Sequence, residues 1–252
     1  MPRFFLPTAQ INQSRAILTG AEFHHLRHVL RLNVGDRLTL CDEQGGEHEG
    51  SIVHLSATSA EITIPASSSS VPGLFSLTLA QSVLKGQKMD LVIEKATELG
   101  VSRIVPFFSA FTVAQLLPER RTERVARWQR LAQSAAKQSG SPVPLITLPQ
   151  SFSDLLAAVP AAAGKVLLYE KERTQTLKAF AQTHPALSSL WVVIGPEGGF
   201  AAGEVEQAQA AGFQAVGLGT RILRAETASI VAAALCRFLW GDEGSLPLPS
   251  PR

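Results

Sequence analysis

From residue 76 onward the chain alternates short apolar runs with stretches of helical periodicity, and this rhythm restricts what it can fold into. The runs at 76–80, 103–107, 165–169, 190–194 and 215–218 read as strands, with room for a helix between successive ones. Such alternation needs crossover connections, which produce a parallel sheet covered on both faces: an α/β architecture. The stretch after the first run places Met89, Val92, Ile93 and Ala96 at i, i+3, i+4, i+7, one face of a helix. The last stretch, from Glu226 to about Trp240, is apolar nearly all round (Ile230, Val231, Ala233, Leu235, Phe238). A helix of that kind belongs inside a core or under a partner subunit.

The first part of the chain reads differently. Residues 66–73, Ala-Ser-Ser-Ser-Ser-Val-Pro-Gly, are small and polar and then broken by Pro-Gly, the composition of a linker. Before it, strands at 37–41 and 48–54 flank Gly45-Gly46 as a hairpin, a third follows at 60–64, and a helix is expected near 22–30. A small β-barrel over 1–72 is expected, followed by an α/β domain over 73–252 whose tail lacks order from about 244. The opening apolar run is too short for a secretory signal, and no apolar stretch reaches the roughly 18 residues of a spanning helix. Cys41 and Cys236 form no CxxC pair. A soluble, cytoplasmic protein without a membrane segment is therefore expected. Apolar residues at 45% and charged residues at 17% suffice for a sizeable core.

The sharpest local feature is Trp191-Val192-Val193-Ile194-Gly195-Pro196-Glu197-Gly198-Gly199-Phe200. An apolar strand stops at Gly-Pro, a carboxylate and paired glycines follow, and a helix starts near Ala202. Ligands of open parallel sheets sit beyond the carboxyl ends of the strands, and glycine lets backbone approach a ligand closely. A plain strand-to-helix turn needs one glycine and no acid. A second loop, Gln214-Ala215-Val216-Gly217-Leu218-Gly219-Thr220-Arg221-Ile222-Leu223-Arg224, repeats the pattern. One helix and one strand fit between Gly195 and Gly219, so both loops should leave the same edge of the sheet. Neither loop is a GxGxxG or GxxxxGK[ST] sequence, which disfavours a dinucleotide or nucleoside triphosphate.

Residues Gly195 to Phe200, with Leu218-Gly219-Thr220-Arg221-Ile222-Leu223-Arg224-Ala225-Glu226-Thr227-Ala228, closely resemble the SPOUT methyltransferases. Within them the chain looks like the RsmE family, bacterial enzymes that methylate N3 of a uridine in small-subunit ribosomal RNA. The resemblance runs through 85–90, 94–100, Arg127-Trp128 and Gln138-Ser139-Gly140, and back to Arg3-Phe4-Phe5 and the 24–31 stretch. It implies an N-terminal PUA-like RNA-binding β-barrel and a C-terminal SPOUT α/β domain with a trefoil knot. It also implies S-adenosyl-L-methionine as cofactor, a homodimer, and 16S ribosomal RNA within an assembled small subunit as substrate. The chain departs from the family pattern at Lys137, where an acid is common, at Ser141, where arginine is, and at Thr220, where proline is.

Carried over position by position, the resemblance implies a cofactor site of Leu168, Tyr169 and Glu170, then Ile194, Gly195, Pro196, Glu197 and Gly198, then Leu218, Gly219, Arg221, Ile222 and Leu223. Uridine N3 carries a proton at neutral pH, so a base or a stabiliser of charge on the uracil oxygens is expected. Arg224 is the candidate stabiliser and Glu197 or Glu226 the candidate base, although either acid also suits a helix N-terminus. For RNA the candidates are Arg3, His25, Arg27, Arg31, Lys85, Lys88, Arg120, Arg124 and Arg127. The net charge of +2 announces no nucleic acid, but residues 85–137 carry ten Lys and Arg against five Asp and Glu. There Arg120, Arg124 and Arg127 share a helix stripe beside Val125, Trp128 and Ala135, and arginine suits phosphate. His24, His25 and His28 cluster without a second ligand group, so no metal is expected. Two other readings are a catalytically silent RNA-binding protein on the same scaffold and a nucleotide-dependent metabolic enzyme. The missing phosphate loop counts against the latter.

Overall fold

The computed structural model describes residues 2–6, 11–12, 14–41, 47–65, 75–114 and 116–241, and their strands fall into two sheets. The first holds β1 (Arg3–Phe5), β2 (Ile11–Asn12), β3 (Arg15–Thr19), β4 (Arg37–Cys41), β5 (Glu47–Leu55) and β6 (Ser59–Thr63). Their order is β1-β4-β5-β6-β3-β2, with β1 parallel to β4 and the other neighbours antiparallel. Alternation along β3 and β6 turns Ala16, Leu18, Ala60 and Ile62 inward onto Phe4, Leu26, Leu38 and Leu40. The hairpin expected at 37–54 is β4 with β5. Gly45-Gly46, the expected linker at 66–73 and the tail from 244 lie outside the described residues.

The helix expected near 22–30 is α1 (Gly20–His24) continuing into a π-turn, His25–Val29. The Leu32 N–H reaches back to the Leu26 carbonyl at 3.1 Å while Arg31 takes φ 56°. That is the left-handed position after a helix, more often occupied by glycine. The periodicity of 22–30 shows neither the wider turn nor this ending, because both are settled by where the following residues must go.

The second sheet holds β7 (Ser76–Ser82), β8 (Arg103–Phe108), β9 (Leu145–Ile146), β10 (Gln150–Ser151), β11 (Gly164–Leu168), β12 (Ser189–Ile194) and β13 (Gln214–Val216). The order is β10-β8-β7-β12-β11-β13 with β9 also on β8, and every pairing is parallel. Between the strands run α2 (Lys88–Glu98), α3 (Arg121–Ser139), α4 (Phe152–Ala158), α5 (Leu177–Thr183), α6 (Ala202–Ala210) and α7 (Ala225–Trp240). Leu190, Val192 and Ile194 of β12 pack with α2, α3, α5 and α7, whereas Trp191 and Val193 pack with α4 and α6. Burial of both faces is why these runs are continuously apolar instead of alternating. β13 stops at Val216, short of the 215–218 run, because Gly217 leaves the sheet to bridge Thr176.

α7 presents Ala225, Ser229, Ala232, Ala233 and Cys236 to the core, and these small side chains let it lie close on α2, β7 and β12. Trp240 Nε1 donates to the His184 carbonyl at 2.7 Å and Arg237 to the Phe75 carbonyl at 3.2 Å, fixing its far end. The chain therefore leaves β13 at the outer edge beside β11 and returns past β11 and β12 to reach β7. Leu235, Phe238 and Leu239 face outward on α7. Lys137 of α3 pairs with Glu22 of α1, and Ser141 Oγ donates to the Glu98 carbonyl at 3.0 Å. Two of the three departures from the family pattern, Lys137 and Ser141, thus make contacts within the chain.

Candidate active site

A cleft of about 470 Å³ opens beyond the carboxyl ends of β11, β12 and β13. Its walls include Leu168, Tyr169 and Glu170, the run from Ile194 to Gly198, and Leu218, Gly219, Arg221, Ile222 and Leu223. The structure thus gathers every residue of the expected cofactor site into one concavity, of the size usual for small-molecule sites. Arg224 lies on its rim. Lys88, Gly199, Phe200, Val216, Gly217, Ala225 and Ala228 also line it, and the sequence had placed none of these in the cofactor site. Val216 and Gly217 belong to the second loop as its sequence was read and directly precede the cofactor residues expected there, which is the signal that could have found them.

The second glycine loop is held by a third segment, 169–177. The Tyr169 N–H bonds the Val216 carbonyl at 3.0 Å and the Gly217 N–H bonds the Gln175 carbonyl at 2.8 Å. A Cβ on Gly217 would stand 2.5 Å from the Glu172 carbonyl oxygen, so only glycine allows this approach. Gly219 takes φ 126°, and the Arg173 guanidinium donates to the Gly219 and Thr220 carbonyls at 3.4 and 3.0 Å. From the other side, buried Gln81 at the end of β7 donates to the Gly195 carbonyl at 3.3 Å and accepts from Ser229 Oγ of α7. The loops are therefore preorganised by backbone and buried amide contacts.

Glu172 shapes the 169–177 segment. Its Oε1 accepts from Thr174 Oγ1 at 2.6 Å, and from the Thr174 and Gln175 N–H groups at 2.7 and 2.9 Å. These bonds, that of the Thr174 hydroxyl first, lower its pKa from 4.5 to about 2. A depressed carboxylate pKa contributes stability above the unfolded value that is lost as pH falls through the folded one. Acid should therefore loosen this segment between pH 4.5 and about 2. Thermal melts across that range should show a shallower acid limb in Glu172→Gln than in the unaltered protein, and identical limbs would refute the assignment.

The charges in the cleft meet at Lys88. Its Nζ lies 2.9 Å from Glu197 Oε1 and 3.8 Å from Glu226 Oε2. Partial burial works against the Glu197 carboxylate, but the Lys88 ammonium and backbone N–H groups outweigh it and hold its pKa below the usual value. Glu226, in the first turn of α7, is buried, and its Oε2 accepts no hydrogen bond from the described residues. The Arg221 and Arg224 side chains are exposed and pair with no described residue.

The remaining RNA candidates divide. Lys88, placed there by resemblance, faces the cofactor cleft. Arg127 pairs with Asp90 Oδ2 at 2.5 Å, and Arg120 ends a separate 3-10 turn, Pro118–Arg120, ahead of α3. Arg124 and Lys85 line a second cavity. His25 meets Phe4 edge to face at 6.1 Å, Arg27 bonds Asn33 at 3.5 Å and Arg31 is exposed. Arg3 lies in β1, and its side chain is outside the described residues. Sequence reasoning passed over the 109–114 loop, where Phe111, 49% exposed, lies against Gly198 of the cleft and Val113, 66% exposed, lines the second cavity. The loop is nonetheless fixed: Glu204 accepts from the Ala110 N–H at 2.8 Å, and Thr112 Oγ1 lies 2.9 Å from Ser82 Oγ. Among the described residues no helix is long and apolar enough to cross a membrane. Nor do any three His, Cys, Asp or Glu form a group that could hold a metal ion.

Comparison with known proteins agrees with this geometry. The family described as RNA methyltransferase domain matches residues 72–237, and that described as RNA methyltransferase PUA domain matches 18–65. A Ribosomal RNA small subunit methyltransferase E from Bacillus subtilis is 32% identical, over 96% of this chain and 100% of its own length. One from Synechocystis sp. is 32% identical over 92% of this chain and 76% of its own. The crystal structure of a Ribosomal RNA small subunit methyltransferase E from Neisseria gonorrhoeae bound to S-adenosyl methionine superposes with a TM-score of 0.77. It is 35% identical, covering 96% of this chain and 99% of that one. With its domain matches, its full-length relatives and its three-loop cleft, this chain belongs to the RNA methyltransferase family that includes the ribosomal RNA small subunit methyltransferases E.

Proposed function

We propose that this chain transfers a methyl group from S-adenosyl-L-methionine to N3 of a uridine in 16S ribosomal RNA of the small subunit. The observation that carries this is the convergence of the 168–170, 194–200 and 216–224 loops on one cleft. The fit to the cofactor rests on walls that include five glycines, a close approach that excludes a Cβ at Gly217, and Glu170 and Glu197 in the lining to meet a cationic ligand. When bound, the cofactor supplies a methyl group activated by a sulfonium. The chain's own part is to position the uracil, neutralise charge on its oxygens and accept the N3 proton. Arg224, with Arg221, is a cation of the cleft that pairs with no described residue, and it directly precedes α7. Lys88 keeps Glu197 ionised and weakly basic, and its ammonium also stands 3.8 Å from Oε2 of Glu226, the other candidate acceptor.

Around this chemistry we propose a PUA-like RNA-binding barrel over 1–72 and a SPOUT domain over 73–252. The six-stranded sheet with its own core supports the barrel. The return of the chain from β13 past the 169–177 segment to β7 supports a trefoil knot. The outward Leu235, Phe238 and Leu239 of α7 support a homodimer, since exposed apolar patches normally mark interfaces. A monomer by light scattering at micromolar concentration would count against it. Cytoplasmic action on an assembled small subunit is part of the same proposal.

The test is incubation of small subunits lacking the modification with labelled S-adenosyl-L-methionine, followed by mapping. N3 methylation blocks the pairing edge of uridine, so a single reverse-transcription stop is expected. Cofactor binding with no label transferred would favour the silent RNA-binding protein instead.

A further inference from the structure

A second cavity, of about 250 Å³, lies between α2, α3 and residues Val113, Ala114 and Leu116. Met89, Val113, Leu116 and Trp128 supply its apolar walls, while Lys85 and Arg124 stand among them. Trp128, 1% exposed, donates from Nε1 to Asp90 at 3.2 Å and closes the cavity at its base, so the accessible apolar surface is that of Val113, Ala114 and Leu116. The Lys85 and Arg124 side chains make no hydrogen bond or ion pair to a described residue, whereas neighbouring Lys88 and Arg127 are both paired. Two unpaired cations over an apolar floor suit a ligand that is itself part flat and apolar, part anionic. A free anion would leave the floor empty, and an apolar ligand would leave the cations unmet.

The cavity also borders the active site. Residues 83–88 form the partition: Val83, Leu84 and Lys85 line the second cavity, the Lys85 N–H helps to lower the Glu197 pKa, and Lys88 lines the cofactor cleft. On the outer side Phe111 lies against Gly198, where an added Cβ would come within 3.0 Å of the Phe111 Cβ, and exposed Val113 reaches the second cavity. We infer that this cavity is the subsite for the nucleotide adjacent to the one being methylated, its base against the apolar walls and its phosphate on Arg124 and Lys85. The inference rests on the RNA methyltransferase reading above. RNA is read chiefly where bases are splayed from the stack and held on apolar or aromatic surfaces. A flipped target uridine leaves its neighbour unstacked and in need of such a surface.

Three full-length variants test this. Ala114→Trp fills the cavity without changing charge, Val113→Glu brings a carboxylate to its mouth at an exposed position, and Arg124→Ala removes a cation. Each is assayed for S-adenosyl-L-methionine affinity by calorimetry and for KM and kcat on small subunits lacking the modification. All three should raise KM about tenfold, the loss of roughly one stacked base or phosphate contact, with cofactor affinity unchanged. If Arg124→Ala alone weakens RNA while both cavity variants behave normally, Arg124 is an ordinary surface phosphate contact and the subsite is wrong. Should Ala114→Trp fail to fold, Val113→Glu decides. Absence of methylation by the unaltered protein would overturn the functional reading itself, a result separate from either.

Discussion

Replacing Gly217 by alanine is expected to abolish cofactor binding and to cost stability on the order of 3 kcal/mol. The new Cβ would stand 2.5 Å from the Glu172 carbonyl oxygen and 3.8 Å from that of Gln175. The Glu172 oxygen is a backbone obstacle that no side-chain rotation relieves, whereas the Gln175 oxygen stands at ordinary contact distance. The Gly217 N–H is also tied to the Gln175 carbonyl at 2.8 Å, so the two segments cannot part without losing that bond. Any movement of 172–175 carries Arg173 away from the Gly219 and Thr220 carbonyls and opens the cleft wall. Gly203 in α6 is the control, because a Cβ there meets nothing within 4 Å. Gly203→Ala, in the exposed first turn of α6, should be neutral or stabilising by up to about 1 kcal/mol. Urea denaturation and calorimetry on the two variants decide the matter. A Gly217→Ala protein with unchanged midpoint and unchanged affinity would show that the close approach is dispensable.

Arg224→Ala should act on rate alone. The side chain projects from the N-terminal cap of α7 onto the cleft rim, exposed and unpaired, so its removal breaks no structural contact among the described residues. The charge that it meets arises on the uracil oxygens only as the N3 proton leaves. A group that acts only in the transition state lowers the rate with little effect on binding. Loss of one such electrostatic contact costs on the order of 3 kcal/mol, roughly a hundredfold in rate. Single-turnover methylation under saturating RNA and cofactor is the measurement, with Arg224→Lys as a partial rescue because a point charge replaces a fork. A normal single-turnover rate in Arg224→Ala would move the residue from chemistry to binding.

Much of this protein was legible in its residues, and the reason is periodicity. Continuous apolar runs separated by helical stretches can bury their surface only as a parallel sheet, and a strand that ends in Gly-Pro-Glu-Gly-Gly announces a ligand loop beyond its carboxyl end. These are short-range facts: each is contained in about ten consecutive residues, and their outcome depends little on the rest of the chain. The cofactor residues could be carried over one by one for the same reason, since the loops that hold them are continuous in sequence.

What periodicity cannot express is which distant segments meet. No pattern within 169–177 announces that it clasps Gly217, because the constraint is a steric approach between two backbones. Nor does charge alone separate Lys88, paired across the cleft with Glu197, from Lys85 three residues earlier, unpaired over a second cavity. The lone glutamate oxygen on Glu226, the exposed Phe111 and the return path of α7 to β7 likewise belong to the assembled molecule. Local sequence determined the elements and the ligand loops through hydrophobic burial and backbone freedom. Tertiary packing decided their partners, because hydrogen bonds, ion pairs and excluded volume act between whatever surfaces the fold brings within a few ångströms.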